Sequence, residues 1–222
     1  MRIWRVDDVM TTSVVTVPSD ATYRSMVNLL IRHRFSALPV VDEGVRVVGV
    51  VSEADLLRKV EYSGNEEPRL FEGRQRRGER GKALAGTAAD LMSSPPVVAP
   101  TGTTITDAAR LMDVQDVKRL PVVDERGRLI GMVTRSDLLK VHLRPDDEIN
   151  QDVMDDVLGG SPAAELRQVR ADTSDGVVTL TGRVDRWSTA DMVVRLTRQV
   201  AGVVRVTDLV EYDVHDRHGP YP

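Results

Sequence analysis

The chain has 222 residues, of which 41% are hydrophobic and 29% are charged, an ordinary composition for a folded globular protein. A formal charge of -4 gives no overall attraction to nucleic acid or anionic lipid. The absence of cysteine excludes disulfides, thiolate zinc sites and thiol catalysis, and no segment approaches the roughly 20 apolar residues of a membrane-spanning helix. We therefore expect a cytoplasmic protein that requires no metal and no cofactor.

The first part of the chain alternates between strand and helix patterns. A β-branched run ends at Pro18, and the polar residues up to Thr22 supply helix-start chemistry before an apolar face that includes Met26, Leu29 and Leu30. The predicted elements are a strand at Ser13–Val17, a helix after Thr22, strands at Leu38–Val41 and Val45–Val51, and a helix that Ser52 opens.

This pattern returns 82 residues later without a gap. GVVSEADLLRK begins at Gly49 and GMVTRSDLLKV begins at Gly131, while LPVVDE occurs at both Leu38 and Leu120. The second copy predicts a strand at Val97–Val98, a helix at Thr104–Gln115, strands at Leu120–Val123 and Leu129–Val133, and a helix from Thr134. A repeat this short usually buries its apolar faces against its own copy.

Between the repeats, Glu61–Thr87 is rich in charge and glycine and reads as a linker. Its basic residues allow the alternative of a nucleic-acid or phosphate-binding arm. Acidic residues are interleaved with them and Phe71 is the one aromatic residue close to them that could stack on a base, so we favour the linker and expect no nucleic-acid partner. The basic residues are Arg74, Arg76, Arg77, Arg80 and Lys82.

After His142 a separate small α+β domain of roughly 70 residues is predicted. A helix begins near Pro145 with an apolar stripe of Ile149, Val153, Val157 and Leu158. Two strands form a hairpin around Asp175-Gly176. The two hairpin strands are expected at Val169–Ala171 and Val177–Val184, followed by a helix at Ser188–Val200 and a last strand at Val203–Val210.

The motif that bears most on function is Ser/Thr-x-x-Asp, at Ser52 and Asp55 and again at Thr134 and Asp137. Taken alone, each motif is explained as a helix cap, because the hydroxyl and carboxylate satisfy free N-H groups at a helix start. Gly49 and Gly131 stand three residues before each hydroxyl, and a strand end that feeds a helix N-terminus suits a phosphate. A carboxylate one turn later suits the two hydroxyls of a ribose, so the spacing also fits a nucleotide.

The doubled unit with LPVVDE and Gly-x-Val-Ser/Thr-x-x-Asp resembles a tandem pair of cystathionine-β-synthase (CBS) domains, also called a Bateman module, over about residues 1 to 143. The resemblance implies sheets packed about a pseudo-twofold axis and two clefts for adenine nucleotides or related adenosyl ligands. By position, Asp55 and Asp137 would hold ribose, and Ser52 and Thr134 would assist at phosphate. The base would lie near Thr12–Val15 and Ser94–Val97.

The two copies differ at Lys118-Arg119, where the first copy has Ser36-Ala37. This basic pair resembles the one with which the γ subunit of the AMP-activated kinase contacts phosphates. It implies stronger phosphate contacts near the second copy; the alternative is that both side chains are merely solvated at a helix end.

The C-terminal part resembles a BON domain, a small module of bacterial envelope-linked proteins, through DGVVTLTGRVD at Asp175–Asp185 and VAGVVRV at Val200–Val206. Gly176, Gly182 and Gly202 are its hallmark glycines. The resemblance implies a phospholipid or protein partner, with Trp187 either an exposed interfacial anchor or a buried loop closure.

We therefore expect an α+β protein with CBS domains at 1–60 and 88–143, a linker at 61–87 and a BON domain at 146–213. The leading hypothesis is a non-enzymatic sensor of AMP, ADP, ATP or S-adenosylmethionine that the BON domain reads out to a membrane or a partner. The alternative is a dimerising scaffold or adaptor without nucleotide binding. A homodimer is expected in either case, and the BON domain could hold a cytoplasmic protein peripherally at a membrane.

Overall fold

The computed structural model describes residues 3–61, 86–160 and 164–216. The basic residues of the predicted linker, Arg74 to Lys82, lie outside these ranges. The chain divides into two compact units, one spanning Arg5–Arg135 and the other made of Met1–Trp4 and Ser136–Pro222.

The first unit contains the first repeat and the second repeat as far as Arg135. Each main helix begins at the threonine expected from the sequence, because Thr22 Oγ1 accepts a hydrogen bond from Ser25 N at 3.3 Å and Thr104 Oγ1 accepts one from Asp107 N at 3.1 Å. The helices are α1 (Val6–Val9), α2 (Tyr23–His33), α3 (Glu53–Glu61), α4 (Ala88–Leu91) and α5 (Ile105–Val114). The strands are β1 (Ala37–Val41), β2 (Val47–Ser52), β3 (Ala99–Pro100), β4 (Arg119–Val123) and β5 (Leu129–Thr134).

Each repeat is built on an antiparallel hairpin, β1 with β2 and β4 with β5. The strand predicted at Ser13–Val17 is wrong except for Val17, which forms a single parallel bridge with Val40. The strand predicted at Val97–Val98 lies instead at β3, parallel to β4. Pairing in the first copy is limited to Val17 N to Pro39 O and Val41 N to Val17 O, whereas in the second copy Thr101 N also donates to Val123 O and extends the pairing of β3.

The two repeats pack about a pseudo-twofold axis. Isolated β-bridges between the repeats occur in symmetry-related pairs. Replacing each residue of one bridge by its equivalent in the other repeat, 82 positions away, gives the second bridge of the pair. Arg46 and Arg128 are themselves 82 apart, so their bridge lies on the axis. The pairs are Thr11–Met132 with Val50–Ser93 and Arg5–Thr104 with Thr22–Thr87.

The contacts next to the axis explain Gly49 and Gly131. A Cβ on Gly49 would lie 2.3 Å from Met92 Sδ and 2.9 Å from Met92 Cβ. A Cβ on Gly131 would lie 2.4 Å from Met10 Sδ and 3.2 Å from the carbonyl oxygen of Thr11. Each glycine therefore leaves room for a methionine of the other repeat, which brings the two repeats into close contact.

The repeats also share a core. Met26, Leu38, Val40 and Val51 of the first copy are fully buried together with Leu91 from α4 of the second copy. Because an apolar residue of one repeat completes the core of the other, the packing of the first repeat depends on the second.

The second unit is a three-stranded sheet with helices packed on its core. β6 (Arg170–Ser174) pairs antiparallel with β7 (Val177–Arg186), and β8 (Arg205–Val214) lies parallel to β7 at the other edge. The helical segments are α6 (Arg135–Leu139), which enters this unit from the first, a 3-10 turn (Lys140–Leu143), α7 (Asp146–Asp152), a π-helical turn (Val153–Leu158), a second 3-10 turn (Ala164–Gln168) and α8 (Trp187–Thr197).

The sequence expectations for this unit are largely confirmed. Ile149, Val153, Val157 and Leu158 are buried in one core with residues of β7 and α8. The hairpin turns at Asp175 and Gly176, whose φ values of 50° and 70° suit a tight type I′ geometry. The last strand differs from the predicted Val203–Val210, because it begins at Arg205 and continues beside β7 to Val214.

Trp187 begins α8 and is half-buried, with its ring 5.4 Å from that of His215. It is thus neither fully exposed nor fully buried. Among the described residues, none of the helices combines the length and the apolar composition needed to cross a bilayer.

We expect Gly49→Ala to destabilise the protein, since its Cβ would overlap Met92 beyond the reach of a rotamer change. Overpacking of this kind typically costs about 1–3 kcal/mol. Gly86→Ala is the matched control, because a Cβ there would meet no atom within 4 Å. Urea denaturation should give a lower midpoint for Gly49→Ala than for Gly86→Ala, and equal midpoints would contradict the packing role.

Candidate functional site

The first Ser/Thr-x-x-Asp motif forms a compact hydrogen-bonded group at the junction of β2 and α3. Ser52 ends β2, and both its N-H and its hydroxyl donate to Asp55 Oδ2, at 2.9 and 2.7 Å. Asp55 is 7% exposed, and its other oxygen lies 4.0 Å from Arg58 Nη1. The motif is thus a helix cap, as the simpler interpretation expected, and it also places a buried carboxylate at a strand end.

In the second copy, Thr134 ends β5 and Asp137 lies one turn into α6. Asp137 is 8% exposed, close to the value for Asp55. Lys140 Nζ lies 2.6 Å from Asp137 Oδ1, a much shorter ion pair than that between Arg58 and Asp55. The two carboxylates are therefore equally buried but differently neutralised.

Arg119 brings a cation of the second repeat close to the first motif. It begins β4 opposite Thr134, and its Nη2 donates to Ser36 Oγ in the first repeat. Burial lowers the pKa of the Arg119 guanidinium below its ordinary value, while the negative charge of Glu53 raises it. The guanidinium is therefore half-buried, held by one hydroxyl and close to one carboxylate of the first copy.

The direction of Arg119 differs from the expectation that the basic pair would serve the second copy. Ser36 hydrogen-bonds through its carbonyl to Glu53 N, so Ser36 and Glu53 are adjacent at the start of α3. Their counterparts 82 residues later are Lys118 and Arg135, linked by the same backbone bond. Because the equivalent positions meet near the axis, a long side chain on Arg119 reaches the opposite repeat.

Lys118 and Arg119 have different environments despite being adjacent. Lys118 is exposed, which agrees with the alternative of a solvated side chain, whereas Arg119 is half-buried. Of the two, Arg119 is the cation fixed by the fold.

The two segments predicted to contact an adenine base, at Thr12 and at Ser94, each pack against a strand of the opposite repeat. Ser94 Oγ donates to Val48 O at 3.0 Å, and Ser93 forms a bridge with Val50, so this segment lies beside β2. Thr12 is exposed and follows Thr11, which bridges Met132 in β5. Each segment therefore lies beside the strand that ends in the other copy's Ser/Thr-x-x-Asp motif.

Gly49 and Gly131 lie on these same strands, packed against Met92 and Met10. The structure thus gives them a packing role, with the entry segments held close to the two motifs. Sequence reasoning missed Ser36 and Glu53, although one signal was available, since both positions carry basic residues in the second copy.

Among the described ranges, no three His, Asp or Glu side chains are grouped so that they could hold a metal ion. The groups brought together beside the first motif are two hydroxyls, two carboxylates and the guanidinium groups of Arg58 and Arg119, a set suited to hydrogen bonding with a ribose and a phosphate.

Comparison with known families agrees with this architecture. The CBS domain model matches residues 6–62 and 88–144, more than half of the chain. The chain belongs to the CBS-domain family. The BON domain model matches residues 145–213, so the order is two CBS domains followed by one BON domain.

Relatives of the CBS pair occur in distant organisms. A CBS domain-containing protein of Dictyostelium discoideum is 34% identical over 139 residues, covering 63% of this chain and 91% of that protein. An uncharacterised protein of Methanocaldococcus jannaschii is 30% identical, covering 62% of this chain and 90% of its own. Inosine-5'-monophosphate dehydrogenase of Mycobacterium tuberculosis is also similar, but the match covers 22% of that enzyme.

Among solved structures, the crystal structure of Arabidopsis thaliana CBSX2 in complex with AMP is similar, with a TM-score of 0.56 and 32% identity. It covers 63% of this chain and 97% of CBSX2. The CBS domain pair of protein MJ0100 shares the fold at 22% identity and a TM-score of 0.51.

We expect Asp55→Ala to lower the stability of the ligand-free protein by about 1 kcal/mol, the usual cost of losing a helix cap. The loss arises because Ser52 N and Oγ both donate to this carboxylate. Asp113→Ala is the control, since Asp113 is exposed near the C-terminal end of α5 and its loss should be neutral or slightly stabilising. Chemical denaturation of both variants measures the difference, and an unchanged midpoint for Asp55→Ala would show that the cap contributes nothing.

Proposed function

We propose that this protein is a non-enzymatic regulatory sensor whose CBS pair binds an adenine nucleotide and whose BON domain transmits its occupancy. The observation that carries the proposal is the similarity to CBSX2, which was crystallised with AMP, over nearly all of that chain. The strand-end motif with a buried carboxylate and a fixed guanidinium supplies the matching chemistry.

In the first copy, Asp55 would accept hydrogen bonds from the ribose hydroxyls through the oxygen that faces Arg58. Ser52 and Arg119 would donate to phosphate, and the segment at Ser94 would contact the base beside β2. The negative charge of Glu53 favours the charged form of Arg119, and Ser36 accepts a hydrogen bond from it, so the cation is positioned before a ligand arrives.

In the second copy, Thr134, Asp137 and Thr12 are proposed for the same roles by their position in the repeat. The 2.6 Å ion pair with Lys140 competes for the Asp137 carboxylate. A ribose there must displace or share Lys140, so we propose that the two copies bind a nucleotide with unequal affinity. Lys118 is proposed only as an exposed, weakly contributing cation, and Gly49 and Gly131 act by positioning the neighbouring segments.

The route to the BON domain follows the turn after α6. Lys140 begins the 3-10 turn, Val141 is buried, and a Cβ on Gly202 would lie 3.1 Å from Val141 O. Arg144 ends the turn and donates to Ala201 O at 2.7 Å while pairing with Asp152 at 2.8 Å. We propose that displacement of Lys140 from Asp137 shifts this turn, which is packed directly on the loop between α8 and β8.

The charge of the BON domain favours a protein partner over an anionic membrane. In residues 145–213, 7 Arg and no Lys stand against 11 Asp and 3 Glu, a formal charge of -7. Anionic phospholipid surfaces attract basic segments and repel acidic ones. The half-buried Trp187 packs against His215 with the two rings tilted by 53°, which weakens the case for a membrane anchor.

The nucleotide proposal predicts that AMP raises the melting temperature of the full chain. A ligand at 100 times its dissociation constant should add about 2.7 kcal/mol. The same shift is measured with ADP, ATP, S-adenosylmethionine and NAD. Adenosine is included because it lacks a phosphate and so measures the contribution of the base and ribose. Arg119→Met should weaken AMP binding about five- to tenfold and leave adenosine unchanged, because one charge-assisted bond is lost. Lys118→Met is the matched control and should behave as the wild type.

Shifts are taken relative to each variant's own ligand-free midpoint, so that cap loss in Asp55→Ala is not mistaken for lost binding. Asp55→Ala should reduce the AMP shift. If none of the ligands changes the midpoint of thermal unfolding, the sensor hypothesis is wrong. The dimerising scaffold is then the better description. If AMP binds but the Arg119→Met and Lys118→Met variants bind it with equal affinity, the assignment of the phosphate contact to Arg119 is wrong.

For the BON domain, we expect the full chain to remain in the supernatant when phosphatidylglycerol vesicles are sedimented at low salt. Repulsion between an acidic domain and an anionic surface is strongest under these conditions. Neutral phosphatidylcholine vesicles are the control for apolar insertion. Co-sedimentation with phosphatidylglycerol alone would contradict the preference for a protein partner.

A further inference from the structure

The chain connects its two compact units twice, and both connections lead to Arg144. The first is the peptide bond between Trp4, which belongs to the second unit, and Arg5, which belongs to the first. The other lies within α6, between Arg135 and Ser136, and the chain then continues through the 3-10 turn to Arg144. Trp4 meets the same residue through its side chain, because the centre of its ring lies 5.7 Å from Arg144 Cζ.

Arg144 is a buried cation whose other partners come from α7 and from the loop before β8. Its side chain is 7% exposed. Nη1 donates to Ala201 O at 2.7 Å, and Nη2 lies 2.8 Å from Asp152 Oδ2 and 3.5 Å from a Glu148 carboxylate oxygen. The Trp4 ring lies within the roughly 6 Å at which a cation-π interaction is favourable, and such an interaction is stronger where water is excluded. Trp4 is therefore one of the contacts that hold this guanidinium.

The residues that follow Trp4 are fixed to the second CBS repeat. In α1, Val6 N donates to Thr103 O at 2.9 Å, and Asp7 Oδ2 accepts a hydrogen bond from Gly102 N at 2.7 Å. The segment after α1 then forms a β-bridge with β5. Adjacent Cα atoms are about 3.8 Å apart, so no flexible linker lies between the contact with Arg144 and the contacts of α1.

The internal repeat does not itself require an aromatic side chain at Trp4. The equivalent position 82 residues later is Gly86, where a Cβ would meet no atom within 4 Å. The next residues in the two copies, Arg5 and Thr87, do form matching β-bridges. The tryptophan is therefore a feature of the first copy alone, added to a backbone that both copies share.

We propose that Trp4 acts as a strap, a short contact that couples α1 to the BON domain through Arg144. A displacement of α1 moves the Trp4 ring relative to the guanidinium, and this changes how firmly Arg144 holds Asp152 and Ala201. The strap is a second connection beside the turn at Lys140–Leu143, and it exists without a bound ligand.

Amide hydrogen exchange of Trp4→Ala, measured without nucleotide, tests the strap on both of its sides. Exchange should become about fivefold faster at Arg144 and Ala201-Gly202 and also at Val6–Thr11, because each side loses a contact that opposes local opening. Ile3→Ala is the matched control, since Ile3 is the adjacent residue and its side chain is 57% exposed. This control should exchange as the wild type does. Trp4→Phe keeps an aromatic face and should show a smaller increase at the same segments.

Faster exchange confined to the second unit would make Trp4 a local packing residue and would overturn the proposal. The same conclusion would follow if Trp4→Ala and Ile3→Ala exchanged alike. Loss of protection along the whole of β7 and β8 would show that Trp4→Ala unfolds the domain, and Trp4→Phe then decides. An increase in Trp4→Phe on both sides supports the strap, and an increase on one side or on neither contradicts it.

The strap also predicts a signal of nucleotide occupancy, a step that rests on the proposed function because Thr12 directly follows the segment that α1 leads into. The chain has two tryptophans, so Trp187→Phe leaves Trp4 as the single fluorophore. Saturating AMP should change the quenching of Trp4 fluorescence by iodide. Trp4→Phe is the control, because its remaining fluorophore packs on His215, and its quenching should change less.

The melting temperature of the same samples separates the two possible failures. If AMP raises the melting temperature of Trp187→Phe but leaves the quenching of Trp4 unchanged, nucleotide binding stands and the strap does not transmit it. If AMP leaves the melting temperature of both variants unchanged, the sensor hypothesis is wrong, and the exchange experiment without nucleotide still decides whether the strap exists.

Discussion

The contact between a glycine of one repeat and a methionine of the other is the constraint on which the CBS pair depends. Met92 packs on Gly49 and Met10 packs on Gly131, so each hairpin is covered by the segment that enters the opposite repeat. Such close packing fixes the separation of the two repeats, because protein interiors have little free volume. The entry segments that contain Thr12 and Ser94 are held beside β5 and β2 as a consequence.

Because of the pseudo-twofold packing, a sequence difference between the two repeats changes the charges beside their Ser/Thr-x-x-Asp motifs. Ser36 and Lys118 are equivalent positions, as are Ala37 and Arg119, yet the Arg119 guanidinium reaches Ser36 across the axis. The first motif therefore gains a half-buried cation, while the Asp137 carboxylate of the second is neutralised by Lys140 from its own turn. The two motifs therefore have similarly buried carboxylates and different neighbouring charges.

The features that could be predicted from the sequence are those set by local chemistry. Thr22 and Thr104 begin their helices because a hydroxyl can accept the free N-H of the first turn. Asp175 and Gly176 turn the hairpin because they tolerate a positive φ. The burial of Ile149 and Val153 followed from helical spacing alone.

The features that the sequence could not provide depend on partners distant in the chain. Val17 forms two hydrogen bonds, one to Pro39 O and one from Val41 N, and the rest of Ser13–Val17 lies outside the sheet, which its propensity for strand formation did not predict. The length of β8 follows from the length of β7 beside it, and the direction of Arg119 follows from which repeat lies across the axis. The glycines of the motif region suggested a ligand from sequence, whereas their environment is a methionine side chain.

The central claim is that nucleotide binding in the CBS pair is transmitted to the BON domain through the turn at Lys140–Leu143. Amide hydrogen exchange of the full chain with and without saturating AMP tests it most directly, because exchange reports local opening of each segment. The account predicts slower exchange at Ser52–Asp55, together with a changed rate at Lys140–Leu143 and at the Ala201-Gly202 loop packed against it. Protection confined to the CBS pair, with no change in the turn or in the loop, would contradict the account.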